Sequence, residues 1–477
     1  MLTKHAVIYF FARGFSGIIH LLAIGVYTRL ISPDEFGKYT MVVAVVEFIN
    51  MIFFQWLRYG ILRYFSKYSN LKERHFLSTI VTLFLCVIFF TLLISQGMWF
   101  IDGIQRYKGL WWMGLGLLWI MAWYELNLEL LRAKLAPHVY GWIVISKALV
   151  TTLFSIWMIT VDMGAYGLLL GVMTGMLLPL IFILRENWKE VRIPQIDRTI
   201  YQQLVMYGFP LTITLSLHFV IVSSDRIMLG WLKGTTEAGI YAVAYDLTQQ
   251  TLLLIMVIVN LAGFPLVVRT LESGKITETK KQLHRYTTTF FMLSIPATAG
   301  YIVLAPQIAL LFLGPVFREQ AALVIPLIAL AVFFEGTKHF YIDLSFQLAK
   351  RTLLQIWPNL IAACLNVGLN FFLIPYMGIL GAVYTAIVSY LLAIMISWLI
   401  GRQIFPLPFP YKEILKIGFA TLCMILSLIP FTNFTGFFAF IGQMVLGLFV
   451  YFSVVFFLKV IEVPDQIAKL VKRFFRE

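Results

Sequence analysis

A chain of 477 residues that is 60% hydrophobic and only 13% charged cannot hide its apolar surface in a water-soluble core, since soluble domains carry about a quarter charged residues. The composition excludes an ordinary globular enzyme and points to a polytopic membrane protein. The formal net charge of +14 would suit a nucleic-acid binder, but its placement in the chain assigns it elsewhere.

A membrane-spanning helix needs about 20 mostly apolar residues. Taken in order, the sequence predicts fourteen such segments. The first six are Ala6–Leu30, Phe36–Leu57, Phe76–Phe100, Leu110–Leu131, Val139–Val161 and Gly164–Leu184. A polar stretch follows, and six more segments come after it: Leu204–Gly230, Ala238–Phe264, His284–Leu313, Ala321–Ile342, Leu353–Pro375 and Gly378–Ile400. A final pair is Tyr411–Pro430 and Phe437–Val460. The predicted fold is therefore all-α. It has a six-helix lobe over 1–184, a cytoplasmic linker over 185–203, a second, pseudo-symmetric six-helix lobe over 204–400, and two additional helices within 401–460. Residues 461–477 place Ile467, Leu470, Val471 and Phe474 on one helical face and Lys469, Lys472, Arg473 and Arg476 on the rest, as an interfacial amphipathic helix would. Only Lys4 and His5 precede the first apolar run, and no small-residue cleavage site follows a short core. The first segment is expected to remain as a span.

Most of the 37 lysines and arginines lie in alternate connections. Arg58, Arg63, Lys67, Lys72 and Arg74 mark one, Arg269, Lys275, Lys280, Lys281 and Arg285 another, and Arg185, Lys189, Arg192 and Arg198 the linker. The intervening connections are poor in basic residues. This asymmetry sets the basic side, and with it both termini, in the cytoplasm. Charge so placed faces anionic lipid, which removes nucleic acid as a partner. Cys86, Cys364 and Cys423 lie far apart within apolar segments and read as small buried residues, not as a disulfide or metal framework.

Two echoes punctuate the chain. Pro33-Asp34-Glu35-Phe36-Gly37-Lys38-Tyr39 is matched by Thr235-Thr236-Glu237-Ala238-Gly239-Ile240-Tyr241, and Met163-Gly164-Ala165-Tyr166-Gly167 by Met377-Gly378-Ile379-Leu380-Gly381. Both pairs stand at segment junctions in the same order, which is how a duplicated membrane architecture shows itself. Pro179, Pro210, Pro296, Pro326 and Pro358 fall inside spans, where they kink helices or serve as hinges. Gly167, Gly171 and Gly175, at four-residue spacing, predict a close helix–helix contact within the chain.

The sequence carries no phosphate-binding loop, no His-Glu-x-x-His and no nucleophile elbow, so no catalytic residue, metal site or cofactor is expected. Attention passes to ionisable residues within spans, which are costly there and mark cavities or internal pairs. Arg13 and Lys147 form a candidate cationic floor for an anionic headgroup, the competing reading being side chains that snorkel to the interface. His20, His218 and Arg226 are further substrate-binding candidates. Glu47, Glu125 and Asp246 are candidates for charge pairing or ion coupling, with Arg13 or Lys147 as possible partners for the two glutamates. Asp225 with Arg226, and Glu129 with Arg132, read as local structural pairs. Glu335, Lys338 and His339 read as a self-neutralising cluster.

The run from Arg29 to Tyr39 resembles the first-loop signature of the polysaccharide transporters, the O-antigen and exopolysaccharide flippases of the multidrug/oligosaccharidyl-lipid/polysaccharide exporter superfamily. Asp225-Arg226-Ile227-Met228-Leu229-Gly230 followed by Gly239-Ile240-Tyr241, and Leu373 through Ala382, resemble the matching junctions of the second half. The resemblance implies two six-helix lobes around a cationic cavity in a bacterial cytoplasmic membrane. It implies alternating access that carries a polyprenyl-diphosphate-linked oligosaccharide, typically on undecaprenyl diphosphate, from the inner to the outer leaflet for surface polysaccharide synthesis. A polymerase and glycosyltransferases would be the neighbouring partners. Two other readings stay open: a cation-coupled multidrug exporter of the same superfamily, and a non-transporting scaffold of a polysaccharide assembly complex.

Overall fold

The computed structural model describes residues 2–68, 73–98, 108–189 and 191–460, with the side chains of 2–11, 13, 98, 182–187, 214, 215 and 218 excepted. The amphipathic helix expected over 461–477 lies outside the described residues. Those residues contain sixteen α-helices and no strand. They are α1 (Leu2–Leu30), α2 (Pro33–Tyr68), α3 (Glu73–Met98), α4 (Lys108–Ala133), α5 (Pro137–Thr160), α6 (Gly164–Asn187), α7 (Arg198–Leu232) and α8 (Thr235–Glu272). Then follow α9 (Ile276–Val303), α10 (Ala305–Phe312), α11 (Pro315–Thr337), α12 (Leu344–Leu348), α13 (Ile356–Met377), α14 (Ile379–Ile404), α15 (Tyr411–Leu428) and α16 (Phe437–Phe457). With α10 and α12 taken as continuations of the helices before them, fourteen long segments occupy the fourteen predicted positions. Ten described stretches are long and apolar enough to cross a bilayer, eleven if the bent pair α9–α10 is one span. The protein is an all-α, multi-pass membrane protein.

The ends of the helices follow local chemistry. Pro33 opens α2 where its missing amide hydrogen is not needed, Ser32 Oγ accepts the Glu35 N–H at 3.3 Å, and Asp34 and Glu35 meet the positive end of the helix dipole. Asp197 caps α7 by accepting the Thr199 and Ile200 N–H groups at 2.8 and 3.2 Å. The span predicted as continuous over His284–Leu313 is broken: α9 and α10 meet at 73°. Pro306 cannot donate to the preceding turn, which ends α9 at Val303 and lets α10 start afresh. The predicted Arg58–Arg74 loop is also shorter than expected, because α2 runs on to Tyr68 and takes Arg58 into the interior, 7% exposed. The three cysteines are free, but Cys86 and Cys364 are exposed on their helices, not buried.

The chain divides into two compact units. The first comprises Met1–Val243, Phe312–Phe317 and Leu353–Ser389. In it α5 packs along α6 and α1, α2 against α4 and α7, and α13 against α7. Its core centres on Phe54, Leu57, Ile61, Phe76, Leu117 and Leu126. The second comprises Ala244–Leu311, Arg318–Thr352 and Tyr390–Glu477. There α15 packs on α9 and α16 around Phe290, Ile417, Ala420 and Tyr451. A five-residue π turn, Lys338–Ile342, joins α11 to α12 in this unit. The Tyr286 hydroxyl donates to the Phe340 carbonyl at 2.5 Å, satisfying a backbone acceptor in the irregular turn.

The echoes of the sequence meet in the first unit. Glu35 Oε2 accepts the Ala165 N–H at 2.8 Å and packs on Gly164, so the glutamate of one echo caps α6 at the glycine of the other. Glu237 packs in the same way on Gly378, at the start of α14. Both glycines have positive φ, +49° and +56°, which a side chain would strain. The repeated glycines of the first echo, Gly37 and Gly239, pack on each other's segments. A Cβ on Gly37 would collide with the Thr235 carbonyl oxygen, and one on Gly239 with that of Pro33. Thr235 Oγ1 bonds to the Asp34 carboxylate across the same seam.

The close contact read from Gly167, Gly171 and Gly175 is with α5, inside the chain. These glycines face Met158, Ser155 and Thr151, and Gly175 also abuts the Lys147 backbone. Gly175→Leu is expected to separate α5 from α6 and destabilise the unit by about 1–3 kcal/mol, the usual penalty of overpacking. Thermal unfolding of the purified protein in detergent checks this, with an apparent melting temperature several degrees lower.

Candidate functional site

Lys147 lies on α5, ten residues in from Pro137 and near the middle of the helix. On the α6 side Gly175 abuts the Lys147 backbone, which brings that helix close. The side chain is half-buried, and its Nζ lies 4.9 Å from the centroid of the Tyr124 ring on α4. Glu47, exposed on α2, interacts with it electrostatically, but Lys147 has no ion pair within 4.0 Å among the described residues. A lysine held this way keeps its charge largely uncancelled in a low-dielectric setting, where an anion would feel it strongly.

Arg58 and Arg132, by contrast, are neutralised. Glu125 pairs with Arg58, a residue expected in a loop, and accepts the Asn50 Nδ2 hydrogen at 2.7 Å. One turn further along α4, Glu129 pairs with Arg132 at 2.7 Å, the local pair predicted from the sequence. Arg58 is within electrostatic range of Glu129 too, so two cations and two carboxylates form a balanced cluster. Such a cluster holds helices in register more readily than it attracts a ligand.

The remaining candidates are dispersed. His20 is exposed on α1, Arg226 is partly buried on α7, and Asp246 is partly buried on α8 in the second unit. The side chains of Arg13 and His218 lie outside the described residues.

Asp225 proves more than a local pair with Arg226. It is 1% exposed and receives hydrogen bonds from two other helices, α8 and α13, at residues of the first unit. Asn370 Nδ2 donates to Oδ1 at 2.6 Å, Asn366 Nδ2 to the same oxygen at 3.3 Å, and the Tyr241 hydroxyl to Oδ2 at 2.8 Å. Ser224 Oγ donates to Asn366 Oδ1 at 2.6 Å. Asn370 Oδ1 is buried with no hydrogen-bond partner among the described residues. A buried carboxylate beside an unused carbonyl oxygen can take up a proton or a small monovalent cation. Two asparagines one turn apart in the largely apolar α13, Asn366 and Asn370, are the sequence signal for this site. Among the described residues no three His, Cys, Asp or Glu side chains are grouped to hold a metal ion.

In the second unit the Lys338–Asp343 pair is buried at 2.8 Å across the π turn. Glu335 accepts from the Tyr245 hydroxyl at 3.0 Å and from Gln249 Nε2 at 3.3 Å. The predicted cluster of Glu335, Lys338 and His339 is therefore split between these two sets of partners, with Asp343 supplying the countercharge to Lys338.

A family model described as "Polysaccharide biosynthesis protein" matches residues 26–322. The chain belongs to this family. Solved structures agree with that assignment at the level of fold. One titled "Lipid II flippase MurJ, inward closed conformation" superposes with a TM-score of 0.76 at 17% identity, covering 95% of this chain and 99% of that one. An inward-facing multidrug resistance MATE family transporter of the MOP superfamily gives 0.64 at 12% identity, covering 81% and 94%. An outward-facing one gives 0.52 at 13%, covering 84% and 95%. Identities this low show a common architecture and leave cargo to be argued from the site. The family member thus has the fold of the multidrug/oligosaccharidyl-lipid/polysaccharide exporter superfamily. A search of curated proteins returned no match.

Proposed function

We propose that the protein is a flippase that moves a polyprenyl-diphosphate-linked oligosaccharide from the inner to the outer leaflet of a bacterial cytoplasmic membrane by alternating access, for surface polysaccharide synthesis. The observation that carries the reading is Lys147: a mid-span cation without an ion-pair partner among the described residues, in a member of a polysaccharide biosynthesis family. A diphosphate brings at least two negative charges and several acceptor oxygens, and would supply the close ion pair that Lys147 does not make among the described residues. The fold shared with a structure titled as a lipid II flippase supports lipid-linked cargo. Arg13 on α1 is assigned to the same cationic floor, and both termini to the cytoplasm. A cation-exporting drug transporter would place an acid, not a lysine, at this point of the span.

The Asp225 cluster supports coupling to a proton or monovalent cation. Asp225→Asn keeps the shape: its carbonyl oxygen still accepts from Asn366 and Asn370, while its NH₂ faces the Tyr241 hydroxyl, which must turn from donor to acceptor, and the loss of the charge-assisted bonds lowers stability by about 1 kcal/mol. The larger expected effect is functional: glycan export in this variant no longer responds to an imposed proton or sodium gradient. Transport in inverted membrane vesicles, with and without the gradient, checks it. The reading as a whole is tested by deleting the protein and following lipid-linked oligosaccharide. Substrate should accumulate in the inner leaflet while its synthesis continues.

A further inference from the structure

Lys147 poses a physical problem that its neighbours answer unusually. A cation in hydrocarbon is normally stabilised by a carboxylate, as Arg58 is by Glu125 and Lys338 by Asp343. Lys147 instead lies against an aromatic face. Tyr124 is 2% exposed, and its hydroxyl is buried with no hydrogen-bond partner among the described residues. The polar end of this tyrosine therefore does not explain its position over Lys147, whereas its ring does.

We infer that Tyr124 is a positioning residue for Lys147: its ring holds the ammonium through the π face, so that the charge is fixed in place without being neutralised and stays available to an anionic diphosphate headgroup. This rests on the flippase reading above. A ring quadrupole attracts a cation but carries no net charge, so the field of the lysine persists beyond it. A carboxylate in the same place would have to be displaced by each arriving headgroup, at a desolvation penalty. Close packing of Gly175 on the Lys147 backbone fixes the other end of the lysine, so the side chain spans two anchored points.

The test uses the full-length protein in lipid nanodiscs with undecaprenyl diphosphate as the probe. Tyr124→Phe is the reference. It is followed by mono-, di- and trifluorinated phenylalanine at position 124, which withdraw π-electron density with little change in shape. Affinity is expected to fall stepwise, about tenfold across the series. On a Lys147→Ala background the series should be flat. A flat series in the Lys147 protein, with Lys147→Ala alone still weakening binding, would overturn the role of Tyr124 and leave the flippase reading standing. Undiminished binding in Lys147→Ala would remove both. A merely structural role for Tyr124 predicts no trend, because the fluorinated rings fill the same space.

Discussion

Lys147→Ala is expected to lower surface-glycan export about tenfold to a hundredfold while the protein still reaches the membrane. The magnitude follows from the about 1.5–3 kcal/mol carried by a hydrogen bond to a charged group, expressed through the barrier to translocation. The charge sits near the middle of α5, half-buried, with a ring and no carboxylate against it. A side chain that merely snorkelled to the interface would leave export intact on truncation. Lys147→Arg separates charge from shape: a planar guanidinium can still meet phosphate, but its fit over the Tyr124 ring differs, so partial export is expected. Quantifying surface glycan against membrane-inserted protein in the three strains decides among these outcomes.

Gly37→Ala is expected to destabilise the protein by about 2 kcal/mol, and Gly37→Ala with Gly239→Ala by more. The added Cβ meets the backbone carbonyl of Thr235, which cannot rotate away as a side chain would. Overpacking at its upper range of about 3 kcal/mol is offset by about 1 kcal/mol of helix propensity gained over glycine. Gly418→Ala is the internal control, since it lies inside α15 with open space around it. That variant should be neutral or slightly stabilising. Apparent melting temperatures in detergent, compared among these variants, measure the difference. Equal melting of Gly37→Ala and Gly418→Ala would show that the seam between the repeats is not closely packed.

Much of this architecture was legible because it is written locally. Hydropathy placed fourteen segments, and the glycine spacing in α6 announced a close contact within the chain, whose partner the structure shows to be α5. The two echoes were legible as repeats, but their relation was not. Only the structure shows that Glu35 of one echo caps the helix opened by Gly164 of the other. The break after Val303 has its sequence mark in Pro306, whose absent donor interrupts an otherwise continuous apolar run. What stayed hidden depends on long-range partners. Arg58 reads as a loop cation, yet α2 continues to Tyr68 and Arg58, within that helix, pairs with Glu125, a residue far away in sequence. Asp225 looked like half of a local pair because its amide donors are 141 and 145 residues distant. Tyr124 could not be singled out at all, one aromatic among many, until its ring was seen beneath Lys147.

The central claim is that this protein carries a lipid-linked anionic glycan across the bilayer. Its most direct test is reconstitution of the purified protein into liposomes with a fluorescent polyprenyl-diphosphate oligosaccharide, scored by access of an external quencher to probe that began in the inner leaflet. The account predicts translocation well above protein-free liposomes and a strong reduction with Lys147→Ala. A rate equal to that of protein-free liposomes, under imposed proton and sodium gradients alike, would contradict it.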